Sequence, residues 1–115
     1  MRINIAKYQL VMFLFSTLVL FAHSAAAVVE VPLLIKNHRF EPAEVRIPAN
    51  TKVKLRIHNQ DATPEEFESY ELNREKVIMG NSKATVFVGP LKPGKYPFFG
   101  EFNPDTAQGV LVVSE

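Results

Sequence analysis

From residue 29 to the end of the chain, apolar side chains recur at every second position, and Pro or Gly interrupts the pattern at short intervals. A period of two puts alternate residues on opposite faces of a strand, whereas a helix needs its apolar residues at a period near 3.6. The clearest stretch is 52–59, where Val53, Leu55 and Ile57 alternate with Lys52, Lys54, Arg56 and His58, so one face is core and the other is wet. The same reading predicts strands at 29–36, 43–47, 66–72, 76–79, 84–88, 96–99 and 109–113. Turn residues separate them: Pro48-Ala-Asn-Thr51, Gly80-Asn81, Gly89-Pro90 and Pro93-Gly94. About eight short strands and no helix predict an all-β, antiparallel Greek-key β-sandwich.

The first 27 residues follow a different rule. Arg2 and Lys7 form a positive segment, 8–21 is apolar apart from Gln9, Ser16 and Thr17, and a small-residue stretch ends in Ala25-Ala-Ala27. A membrane-spanning helix needs about 20 apolar residues. The shorter run and the A-x-A pattern predict a signal peptide, 1–27, cleaved after Ala27, with an uncleaved membrane anchor as the alternative. Residues 28–115 are then one domain, placed in the periplasm.

Cleavage would take Arg2 and Lys7 from the 13 basic residues, leaving 11 against 12 acidic ones. Such a balance offers no basic stripe for a nucleic-acid partner; Lys52, Lys54 and Arg56 read as a solvated strand face. An 88-residue remainder has little room for a substrate cleft, and no G-x-S-x-G, cysteine or glycine-rich phosphate cradle is present, so the chain reads as a non-enzyme. With no cysteine at all, any metal is held by imidazole, carboxylate, amide or thioether groups.

Three segments together carry a family resemblance. They are F-x-P-x-E-x-x-x-P-A-N-x-x-V-x-L at 40–55, Asn59-Gln-Asp-Ala-Thr-Pro-Glu-Glu-Phe-Glu-Ser69, and GPLKPGKYPFFGEFNPDTAQG at 89–109. In these the chain resembles the cupredoxin-like periplasmic proteins, most of all the branch associated with bacterial high-affinity iron permease systems. The resemblance implies where copper ligands would stand: the first histidine at Glu65, the cysteine at Gly100, the second histidine at Asn103 and the axial ligand near Gln108. None of the four is kept. A type 1 copper site needs two imidazoles and a thiolate, so it is excluded. The resemblance also implies a histidine at Asn103 in the iron-associated branch, and an amide oxygen replaces imidazole poorly.

Carboxylates occupy these loops instead. Glu66 and Glu68 share a strand face about 6.5 to 7 Å apart along the backbone, and the cupredoxin arrangement implies that Glu101 lies near them. Oxygen donors favour hard ions such as ferric iron or manganese; the thioether of Met79 would favour copper(I). Glu66, Glu68, Glu101 and Met79 are thus the candidate ligands for an iron or copper ion. The competing readings are an acidic edge strand that discourages sheet-to-sheet pairing and core packing for Met79. His38, in a bend between strands, and His58, on a wet strand face, are weaker candidates.

Two functions follow. One is a metal-binding accessory of iron (or copper) uptake, partnered by a membrane iron permease or another periplasmic uptake component. The other is a metal-free binding or scaffold module using the aromatic loop 96–102. The residues allow a homodimer and do not require one.

Overall fold

The computed structural model describes Leu18, Val19 and residues 28–115. The expected signal peptide therefore lies almost wholly outside the described residues. Nine strands follow in order: β1 Val29–Lys36, β2 Arg39–Glu41, β3 Glu44–Pro48, β4 Val53–Asn59, β5 Glu65–Ser69, β6 Arg74–Ile78, β7 Lys83–Val88, β8 Gly94–Gly100 and β9 Gln108–Ser114. They form two sheets, ordered β2-β1-β4-β7 and β3-β9-β8-β5-β6. No helix among the described residues is long and apolar enough to cross a membrane.

The all-β sandwich is as the alternation requires, with two corrections. The first is the extra strand β2. Asn37 and His38 both adopt positive φ, 53° and 57°, and close a two-residue hairpin that pairs β2 back onto β1. Asp61 holds this turn by accepting from Asn37 N at 2.8 Å and His38 N at 3.0 Å. The second concerns pairing: β1 runs parallel to β4 and β3 parallel to β9. Alternation reports which face is buried, and it is blind to the direction of the neighbour. Parallel pairing arises because the chain crosses between the sheets before returning beside an earlier strand.

Val53, Leu55 and Ile57 from β4 fill the space between the sheets with Leu33, Ile35, Phe67, Phe98 and Leu111, all buried. Phe40, Phe67 and Phe98 form one aromatic cluster, with Phe98 centred 5.0 Å from each of the other two rings. Gly109 makes room for it, since a Cβ there would stand 2.3 Å from the Phe98 ring.

Asn59 ends β4 fully buried and organises the loop that follows. Its Nδ2 donates to Thr63 O at 2.8 Å and Ile78 O at 3.1 Å, and its Oδ1 accepts from Asp61 N at 3.0 Å. A buried amide with its donors and acceptor used in this way fixes the loop geometry, and so fixes the start of β5.

Candidate metal centre

Strand β5 divides its glutamates between two environments. Glu65, Phe67 and Ser69 point inward and are buried, while Glu66 and Glu68 point outward and are half-buried. A one-residue offset in a strand exchanges core for solvent, so these adjacent carboxylates have unrelated chemistry.

The inward one, Glu65, is 2% exposed. Its Oε1 accepts from Phe102 N at 2.9 Å and Glu66 N at 3.0 Å, and its Oε2 accepts from Asn103 Nδ2 at 2.7 Å. The loop after β8 is thereby tied to the head of β5 across 38 positions of sequence. Gly100, buried beside it, permits the close approach: a Cβ would lie 2.6 Å from both Glu65 Cδ and Ala107 Cβ. Glu65, Gly100 and Asn103 thus meet at one corner, where the resemblance places copper ligands. Gln108 does not join them. It is exposed and donates through Nε2 to Pro104 O at 2.5 Å, and the buried Ala107 occupies the space beside Gly100. A carboxylate already holding three N–H groups, an amide and two small residues do not fit a type 1 copper ion.

The outward carboxylates meet a partner that strand alternation alone does not reveal. Strand β6 lies antiparallel to β5 with Glu75 directly opposite Glu68 and Val77 opposite Glu66. One carboxylate oxygen from each of Glu66, Glu68 and Glu75 lies within 4.8 Å of the others. The hydrogen bond with Glu75, then desolvation, then the charges of Glu75, Glu68 and Glu101 push the Glu66 carboxyl up from 4.5 to about 7. Among the described residues no salt bridge reaches any of the three. Arg74, next to Glu75 on β6, donates instead to Phe87 O at 2.8 Å and Asn73 O at 2.9 Å. Beside Glu68 and Glu75 the surface sinks into a depression of about 330 Å³ that Tyr70, Asn73 and Arg74 also line.

The remaining candidates are placed as follows. Glu101 is exposed; its backbone N–H donates to Glu66 O at 2.9 Å, and its charge contributes to raising Glu66, although it is not one of the three clustered groups. Met79 lies one residue past β6 and is 61% exposed, which removes the core-packing alternative for it. His38 is a turn residue whose Nδ1 lies 3.7 Å from Asp61 Oδ2. His58 stands on the outer face of the other sheet, paired in register with Lys83. The aromatic run does not form a continuous surface: Phe98 is core, Tyr96 packs against the core, and Phe102 is 48% exposed.

Comparison with known proteins decides the family. Residues 9–113 match the family model of the cupredoxin-like domain. The chain belongs to that family. The match extends back into the segment expected to be a signal peptide. An uncharacterized protein of Rickettsia prowazekii (strain Madrid E) is similar, 49% identical over 88 residues that cover 76% of this chain and 70% of the relative. Among solved structures, the fold is similar to auracyanin A, a blue copper protein of Chloroflexus aurantiacus, with a TM-score of 0.67 and 15% identity over 76% of this chain and 100% of that one. It is equally similar to the copper(I)-bound metal-binding domain of the Cu(I)-exporting P-type ATPase of Streptococcus pneumoniae, with a TM-score of 0.67 and 13% identity over 79% of this chain and 99% of that one. At these identities the likeness shows the cupredoxin fold. The absence of cysteine from the chain excludes a blue-copper site on it.

Proposed function

We propose that this cupredoxin-like domain is a periplasmic metal-binding accessory, acting in metal uptake or handling rather than as an electron carrier or enzyme. The observation that carries the reading is the Glu66, Glu68 and Glu75 cluster: three carboxylate oxygens within 4.8 Å, one carboxyl pushed up to about 7 by its neighbours, and no salt bridge from any described residue to these three. Carboxylates held together against their mutual repulsion gain from a cation that neutralises them. An all-oxygen set favours a hard ion, so iron or manganese suits it better than copper, with Glu101 at its edge. Delivery to a membrane iron permease or another uptake component is the role that the family resemblance supports. The likeness to a copper-transporting ATPase domain keeps copper as the alternative cargo, with Met79 as its thioether donor.

Melting temperature measured against added metal tests this reading. With the ion at about a hundred times its Kd, the melting temperature should rise by on the order of 10 °C. Iron or manganese should raise it more than zinc, and copper should do so only if Met79 takes part. The double substitution Glu66→Gln and Glu68→Gln should abolish the rise. Equal responses in wild type and double variant would remove these glutamates as ligands, and no response in wild type would assign the domain to the metal-free module.

A further inference from the structure

The two outer faces of the sandwich differ in charge. Strand alternation and exposure put six cations, Lys36, Arg39, Lys52, Lys54, Arg56 and Lys83, on the outer face of the sheet β2-β1-β4-β7. Opposing them are Glu41 and Glu30, the latter bridging Lys54 at 3.4 Å and Arg56 at 3.8 Å. Lys83 has no salt bridge among the described residues. The other sheet turns Glu66, Glu68 and Glu75 outward. A chain whose 13 basic and 12 acidic residues nearly balance thus concentrates positive charge on one broad surface.

We propose that this basic sheet face docks on an anionic phospholipid bilayer. Three observations favour a bilayer over other acidic partners. The charges spread over all four strands, a surface roughly 19 Å across, and a plane of dispersed cations matches a plane of headgroups better than it matches a single acidic segment. Phe87 stands among them, 47% exposed, with Lys52 Nζ 5.3 Å and Lys54 Nζ 6.0 Å from its ring centroid. An exposed aromatic ring flanked by ammonium groups suits the boundary between headgroup and acyl chain. Across β1, β4 and β7 lies a depression of about 380 Å³ lined by Pro32, Leu34, Arg56, His58 and Lys83, with Glu30 also on its lining but engaged by Lys54 and Arg56. It offers apolar contact beside cationic donors, as a phosphodiester and its glycerol require.

The test uses the full chain and phospholipid vesicles, either neutral phosphatidylcholine or with about 30% phosphatidylglycerol, the anionic fraction supplying the surface potential. The apolar run and Arg2 and Lys7 are common to every variant, so the preference for anionic over neutral vesicles isolates the folded face. Replacing three cations, Lys52→Gln, Arg56→Gln and Lys83→Gln, should reduce that preference about a hundredfold, and Lys36→Gln with Arg39→Gln beside the β1–β2 hairpin should reduce it about thirtyfold. The control Arg46→Gln, Lys76→Gln and Lys95→Gln removes the same charge from the other sheet and should leave the preference within about threefold of wild type. An equal loss in the control, or an undiminished preference in the triple variant, would overturn the proposal. So would a triple variant that keeps its vesicle preference but loses self-association by sedimentation, which would mean that the face meets the acidic side of a second copy. Metal responses should be unchanged in the triple variant, which separates failure here from failure of the metal-binding reading.

Discussion

Glu65 and Asn103 are joined by a 2.7 Å hydrogen bond, Nδ2 donating to Oε2, at the corner where the cupredoxin resemblance puts two copper-binding histidines. Two backbone N–H groups complete the carboxylate's shell, so the contact performs the structural half of what a shared ligand does: it ties the loop after β8 to the head of β5. Glu65→Gln keeps the shape but turns an acceptor into a donor facing N–H groups. A buried donor left unmatched costs about 1 to 3 kcal/mol, and urea denaturation of the variant should show a loss of that size. An unchanged midpoint would mean that Glu65 does not hold the loop.

Gly100 should be coupled to Glu65 energetically. The 2.6 Å approach of a Cβ to Glu65 Cδ and Ala107 Cβ predicts that Gly100→Ala overpacks the corner, at a cost of about 1 to 3 kcal/mol. Truncating Glu65 to Ala vacates part of that space, so Gly100→Ala should cost less in the Glu65→Ala background than alone. A double-mutant cycle measures the difference. Strict additivity would show that the strain is relieved elsewhere.

The raised Glu66 gives the metal-free protein a definite pH dependence. Its folded-state value of about 7 lies above the ordinary 4.5, so the folded protein binds this proton more tightly than the unfolded chain does. The resulting stabilisation is fully present below about pH 4.5 and is lost as pH rises through about 7. Denaturant midpoints between pH 5 and 8 should therefore fall with increasing pH. Glu75→Gln removes the nearest charge and should flatten the profile. A midpoint that climbs over that range would contradict the arrangement of the three carboxylates.

The contrast between β5 and β2 shows what could be read from the residues. Alternation in 52–59 identified Val53, Leu55 and Ile57 as core, and the same periodicity put Glu66 and Glu68 on one face. Glu75 escaped because strand period says nothing about which residue of the next strand stands opposite; that depends on the length of the turn 70–73. β2 escaped because a three-residue strand has no period to detect. The signal was the Asn37-His38 pair, since asparagine tolerates the left-handed region that a two-residue hairpin needs. The bond from Asn103 to Glu65 links residues 38 apart, and its positions were marked only by family resemblance; the residues themselves did not reveal that the carboxylate turns inward.

Copper provides a spectroscopic test. With no cysteine in the chain and the corner filled by Glu65, Asn103 and Ala107, copper(II) added to the purified protein should give no intense thiolate-to-copper absorption in the visible. A blue sample would overturn the description of this corner.

The position of a bound ion tests the account most directly. Anomalous diffraction from crystals of the protein soaked in manganese should show one peak among the carboxylates of Glu66, Glu68 and Glu75, the three whose oxygens lie within 4.8 Å of one another, and none beside Glu65 and Asn103. The metal–oxygen distances should lie between those of smaller and larger hard ions in oxygen sites, about 2.1 to 2.3 Å. A peak at the Glu65 corner, or crystals that bind no manganese at the three glutamates, would contradict it.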